Sequence, residues 1–127
     1  MKTLGIGVDI IENSRIKKSI SNKRFLSRIY SAYEINNSKK FIDKTSFFSK
    51  RFAAKEAFSK ALGMGFRNGL NFNDISVIND KFGKPTIKIN GKLKSIINNR
   101  FKTKKVNIHL SLADEKKHSI AFVILGK

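Results

Sequence analysis

Asp9 follows Gly5 and Gly7 at alternate positions of the chain. On an extended segment these three residues share a face, and two glycines beside a carboxylate let something bulky approach the backbone. A carboxylate so placed either pairs with a nearby lysine or binds a cation. A second one, Glu56, lies in Arg51-Phe-Ala-Ala-Lys55-Glu56-Ala-Phe-Ser-Lys60, among residues that read as heavily packed. Burying a carboxylate is costly unless it is paired or bound to a cation. An i,i+4 bridge from Glu56 to Lys60 is one way to satisfy it; a metal ion is another. The chain has nine acidic residues against 27 basic ones, so a carboxylate inside a packed segment is unusual here. Arg51, Lys55 and Lys60 surround it with charges suited to phosphate. Two carboxylates together with phosphate oxygens make a hard-oxygen donor set of the kind that holds Mg²⁺.

His109 and Ser111 share a face of a later alternating segment. Histidine as a class titrates near neutrality, which suits proton transfer or a phosphate contact; a lone strand histidine also serves structure. Ser111 offers a hydroxyl donor to a phosphate, or has no role. His118, next to a turn, is assigned none. Gly63-Met64-Gly65, followed by Arg67-Asn68-Gly69, is a glycine-rich loop behind a helix. No lysine–serine pair follows, so it is not a P-loop, and it also reads simply as a helix stop. Phe82-Gly83-Lys84-Pro85 is first a hairpin turn, although a lysine and a fixed proline there also suit the flank of a nucleotide.

Positioning these residues takes a mixed set of elements. Residues 3–12 alternate as a half-buried strand, with Leu4, Ile6, Val8 and Ile10 on one face and Gly5, Gly7 and Asp9 on the other. Asn13-Ser14 offers a cap to a short basic helix over 15–21. Residues 23–30 form a second basic amphipathic stretch around Phe25, Leu26 and Ile29, and 32–42 is helical with Glu34 near its start. The strongest helix covers 45–62, with no Gly or Pro inside. Its apolar residues occupy more than one face, so it packs on at least two sides, and Gly63 ends it. Residues 74–79 and 86–90 are strands around a turn. A short helix follows over 92–101. Residues 106–112 alternate, with Val106, Ile108, Leu110 and Leu112 facing in and Asn107, His109 and Ser111 out. Residues 119–125 form an almost wholly apolar strand. Without a regular βαβ rhythm, the pattern predicts an α+β fold, a mainly antiparallel sheet packed with a long central helix.

A chain of 127 residues, 40% hydrophobic, suits a single globular domain whose modest core an oligomer interface can complete. No cysteine is present, so there is no disulfide framework or thiolate metal site. No apolar run is long enough to cross a bilayer, and Asp9 interrupts any signal-peptide core. The expectation is a cytoplasmic protein with no membrane partner. The net charge of +18 suits a polyanionic partner, whether nucleic acid, phosphate-rich ligand or acidic protein. Drift in an AT-rich genome also enriches lysine, alongside asparagine, isoleucine and phenylalanine, and accounts for part of it.

In order and content these motifs resemble the short class of the 4′-phosphopantetheinyl transferase family, the carrier-protein synthases. Gly5-Ile-Gly7-Val-Asp9-Ile-Ile-Glu-Asn-Ser-Arg15 is similar to the family's first motif. Arg51 through Gly65 is similar to its second and most specific one. Phe82-Gly83-Lys84-Pro85 and His109-Leu-Ser111-Leu-Ala-Asp114 resemble later signatures, and the likeness covers essentially the whole chain. The resemblance implies transfer of phosphopantetheine from coenzyme A to a serine of an acyl carrier protein, in support of fatty acid biosynthesis. Asp9 and Glu56 would ligate Mg²⁺, and Arg51, Lys55 and Lys60 would lie near the coenzyme's phosphates. Gly63, Gly65, Lys84 and Pro85 would frame the nucleotide, with His109 at the pyrophosphate and Ser111 beside it. Arg15, Arg24, Phe25 and Arg28 would dock the acidic carrier. The base that takes the serine proton would be His109, Glu56 or a water on the ion. Members of the class form homotrimers with each active site between two subunits. Relatives often carry another histidine where Ala113-Asp114 stands, so no function passes to Asp114. The same charge also suits a nucleic-acid-binding module without catalysis, which would bind in a salt-sensitive way. The phenylalanines at core-like spacing and the lack of a recognised motif speak against it. A third reading, a non-catalytic coenzyme-A-binding regulator, would tolerate loss of Asp9.

Overall fold

Helix α4 (Lys44–Leu62) is the element against which the others are laid. Asp43 caps its first turn by accepting from the Ser46 N–H. Gly63 closes its last turn at φ 69°, in the left-handed region where a side chain would be strained. The computed structural model describes residues 1–66 and 70–127. Arg67, Asn68 and Gly69 of the glycine-rich loop lie outside the described residues.

Three antiparallel strands cover one side of α4, in the order β1 (Thr3–Glu12), β5 (His118–Gly126), β4 (Asn107–Asp114). β5 is central, which agrees with its almost continuous apolar sequence. β2 (Ile75–Asn79) and β3 (Pro85–Ile89) form a separate hairpin. The helices α1 (Asn13–Ser19), α2 (Lys23–Ile29) and α3 (Ala32–Ser38) run between β1 and α4, and α5 (Gly91–Phe101) lies between β3 and β4. The architecture is the expected α+β one, with two antiparallel sheets rather than one.

Buried Phe58, Leu62, Ile75, Leu93, Ile97 and Leu125 hold these layers together, each worth about 1.5–3 kcal/mol when fully removed from water. Two helix boundaries differ from expectation for identifiable reasons. Asn13 does not cap α1 but begins it. Its amide donates to the carbonyls of Glu115 and Lys116 and accepts from the Ser119 hydroxyl, tying β1 to the β4–β5 turn. The helix expected over 32–42 stops at Ser38, because the Lys44 ammonium donates to the carbonyls of Ser38 and Phe41 and draws the chain into a turn.

Strand β1 is turned opposite to the usual reading of an alternating strand. Its glycine face lies on α4, while Ile6, Val8 and Ile10 are exposed by 61%, 54% and 62%. A Cβ on Gly5 would overlap the Ala61 carbonyl, and one on Gly7 that of Ala57. The bulky object that the two glycines admit is therefore the α4 backbone itself. This close approach delivers Asp9, next on the same face, to the helix.

Candidate active site

Asp9 meets α4 through Lys60, whose ammonium donates to its carboxylate at 3.1 Å and to the Val8 carbonyl at 3.0 Å. The i,i+4 bridge weighed for Glu56 is not the pairing Lys60 makes. Glu56, one turn earlier on α4, is half-buried. Burial and the negative charge of Asp9 both push its carboxyl above the ordinary glutamate range, while Lys60 pulls the other way. A half-buried carboxylate whose ionisation a neighbouring carboxylate disfavours is a feature of sites that bind a cation or handle a proton. Among the described residues no group of three or more histidines and carboxylates is placed to hold a metal. Asp9 and Glu56 are a hard-oxygen pair that could hold a divalent cation only with phosphate or water completing its coordination. That suits Mg²⁺, which keeps several positions for substrate and solvent.

A second group of the expected residues lies on the other flank of the helix. Arg51 precedes Glu56 by five positions, about 140° around an α-helix. It lines a cavity of about 190 Å³ with Gly83 and Pro85 of the hairpin and with Leu112 and Asp114 of β4. Its guanidinium stacks on the Phe47 ring at 3.5 Å and donates to the Phe47 carbonyl. Its Nε is buried with no partner among the described residues. Burial lowers the guanidinium to about 10, so it stays charged at neutral pH. Asp80 shapes the hairpin by accepting from the N–H groups of Phe82 and Lys84, which leaves the Lys84 side chain exposed.

His109 and Ser111 belong to neither group. Both are exposed on the sheet face turned away from α4, where they pair across strands with Ile124 and Phe122. That face also carries exposed Ile6, Val8 and Ile10 of β1 and Ile120 and Phe122 of β5, an apolar surface that this chain does not cover. Gly63 and Gly65 sit at the α4 terminus. Arg100 of α5 donates there to the Leu62 carbonyl and lies against Gly63. Arg15 on α1 and Arg24 and Arg28 on α2 are exposed, and half-buried Phe25 stacks on Phe52 of α4.

Lys55 is a correction. It was expected near coenzyme phosphates, yet its side chain is 0% exposed and its ammonium forms an ion pair with Glu34 at 2.6 Å. It donates as well to the carbonyls of Ile29, Phe72 and Ile75. No phosphate reaches it. Glu34, which the sequence places only near the start of a helix, accepts in turn from the N–H groups of Ser31 and Val77. Its signal was present in Ser31-x-x-Glu34, a capping box that the structure contains.

Comparison with known proteins places these features in context. A family model described as the 4′-phosphopantetheinyl transferase superfamily matches residues 5–123. The holo-[acyl-carrier-protein] synthase of Pelagibacter ubique is 59% identical over 127 residues, which are 100% of this chain and 99% of the relative. That of Zymomonas mobilis is 42% identical over 127 residues, 96% of this chain and 95% of the relative. Among solved structures, holo-[acyl-carrier-protein] synthase from Neisseria meningitidis superposes with a TM-score of 0.88 at 31% identity, over 98% of this chain and 99% of that one. The Bacillus anthracis enzyme, in complex with CoA (3′,5′-ADP), gives 0.82 at 36% identity, over 99% of this chain and 98% of that one.

Proposed function

Because the chain belongs to the 4′-phosphopantetheinyl transferase superfamily, matched end to end by holo-[acyl-carrier-protein] synthases, we propose that it transfers 4′-phosphopantetheine from coenzyme A to a serine of an apo acyl carrier protein. The products are holo carrier protein and 3′,5′-ADP. The observation that carries the reading within the chain is the convergence of Asp9 and Glu56. They come from the opening strand and the central helix, with Lys60 bonded to Asp9. The serine oxygen attacks the β-phosphorus of the coenzyme. The bond from that phosphorus to the bridging oxygen breaks, and the nucleotide leaves with the electron pair.

Asp9 and Glu56 would hold Mg²⁺, which when bound neutralises and aligns the pyrophosphate. Lys60, still exposed beside Asp9, adds a cation where charge accumulates on the leaving nucleotide. Glu56, with its affinity for a proton raised, and His109 remain the side-chain candidates to take the serine proton. Arg15, Arg24, Phe25 and Arg28 dock the acidic carrier, chiefly by speeding encounter and setting orientation.

The homotrimer belongs to the same proposal. Asp9, Glu56 and Lys60 lie on one flank of α4. Arg51 and Pro85 lie on the other, and His109 and Ser111 face away from the helix altogether. One chain does not bring the three sets around one coenzyme; neighbouring copies do so if the uncovered apolar sheet face is their contact. Exposed apolar patches of this kind mark association surfaces. Among the described residues no helix is long and apolar enough to cross a membrane. The reading puts the enzyme to work in the cytoplasm, in fatty acid biosynthesis. A nucleic-acid-binding module gains no support from the family or its neighbours.

The decisive experiment weighs an apo carrier protein after incubation with this protein, coenzyme A and Mg²⁺. A mass gain of one phosphopantetheine arm is expected. Well-folded protein that adds nothing to several different carriers rejects the reading.

A further inference from the structure

Lys55 and Glu34 are joined to almost everything that separates the carrier-docking helix from the carboxylate pair. Lys55 precedes Glu56 directly on α4. Its ammonium has three protons to give and four oxygens within reach. These are Glu34 Oε1 at 2.6 Å, the Ile75 carbonyl at 2.6 Å, the Ile29 carbonyl at 2.8 Å and the Phe72 carbonyl at 3.0 Å. Ile29 is the last residue of α2, the helix of Arg24, Phe25 and Arg28. Glu34 Oε1 also accepts from the Ser31 N–H at 2.9 Å, and Oε2 accepts from the Val77 N–H at 2.9 Å. One buried ion pair thus ties the end of α2, the start of α3, the middle of α4 and the entry to the β2–β3 hairpin.

Stability alone does not call for this arrangement. Two charges lose their hydration on burial, and an apolar pair of similar volume often serves a fold as well or better. What an apolar pair lacks is direction. Three backbone carbonyls and two N–H groups, drawn from the end of α2, the start of α3, the segment before β2 and β2 itself, must meet their partners at fixed distances and angles. Phe25 supplies the second fixed point of α2, stacking on Phe52 with centroids 6.4 Å apart, and Phe52 lies one helical turn from Glu56.

We infer that the buried Lys55–Glu34 pair is a positioning device. It sets the carrier-docking helix α2 relative to Asp9 and Glu56, and so the reach of the carrier serine to the pyrophosphate. The inference rests on the transfer reading above and adds to it two residues that touch neither substrate. Displacements of the order of an ångström are enough to cost about a hundredfold in rate when reacting groups must align. Coenzyme binding uses other side chains and should change less than carrier turnover, although the hairpin that carries Pro85 is tied to the same pair.

The test compares Glu34→Gln, which keeps the shape and an accepting oxygen, with the double variant Glu34→Gln/Lys55→Met, which removes both charges together. Folding and assembly are checked by circular dichroism and sedimentation, coenzyme A affinity by calorimetry, and transfer by carrier mass. In the folded variants, kcat/KM for the carrier should fall by about tenfold or more while coenzyme A affinity stays within about twofold. If the double variant does not fold, Glu34→Gln decides by the same split. Unchanged carrier kinetics in folded protein overturns the inference. So does an equal loss in coenzyme affinity, which would mean that the pair supports the whole site through α4 and the hairpin rather than setting the carrier helix. Failure of the unaltered protein to transfer at all is a different result and counts against the proposed function instead.

Discussion

If Asp9 and Glu56 hold one cation as proposed, removing either should be nearly equivalent. Asp9→Ala and Glu56→Ala are each expected to lower turnover by about 10²–10³-fold or more, the usual cost of losing one transition-state electrostatic contact. The measurement is the rate of carrier mass gain, with circular dichroism confirming the fold. Glu56→Gln should have a second signature. Burial and Asp9 both oppose the Glu56 charge in the folded protein, so the neutral amide should raise the melting temperature in metal-free buffer. A fall would contradict the crowding of the two carboxylates. At this scale the sequence was informative about residue type and poor about direction. Lys55 and Lys60 look alike on a helix that is apolar on several sides. Which of them faces solvent depends on Glu34 and Asp9, partners 21 and 51 positions away. The Ser31–Glu34 capping box was legible; that its carboxylate would also receive a lysine was not.

Elements carry these side chains to their places, and β1 shows how. Its alternation predicted a half-buried strand without fixing which face is buried, and the structure buries the glycine face rather than the apolar one. The alanine stripe Ala53, Ala57, Ala61 on α4 is fully or almost fully buried, and only glycines let a strand come that close. The apolar side was left for a surface outside the chain, which no single sequence identifies. Gly7→Ala is therefore expected to destabilise the fold by about 3 kcal/mol, at the upper end of overpacking costs, and to abolish transfer by lifting Asp9 away from Glu56. Urea unfolding reads the first effect and carrier mass the second. Helix α2 invites the opposite kind of change. Arg24→Glu with Arg28→Glu should leave stability near that of the parent, raise KM for the carrier and weaken the salt dependence of its association rate. If KM for the carrier does not move, the docking surface lies elsewhere.

The whole molecule leaves an apolar sheet face exposed, and the proposed trimer would cover it while bringing the separated residues together. Phe122→Lys, at the centre of that face, should dissociate the assembly in sedimentation and stop transfer although Asp9, Glu56 and Lys60 are untouched. Asp9→Ala and Arg51→Met should each be inactive alone and regain activity when the two proteins are unfolded and refolded together, because some clefts then draw an intact flank from each parent. No recovery would mean that both flanks serve a cleft within one chain. Under the proposed function, part of the +18 charge would face coenzyme phosphates and part an acidic carrier. If the proposed site residues are divided between the two flanks of α4 in this way, the division would also set how damage spreads. A protomer crippled on both flanks silences the clefts it shares with each neighbour, so a minority of defective chains would poison a mixed population out of proportion to their number.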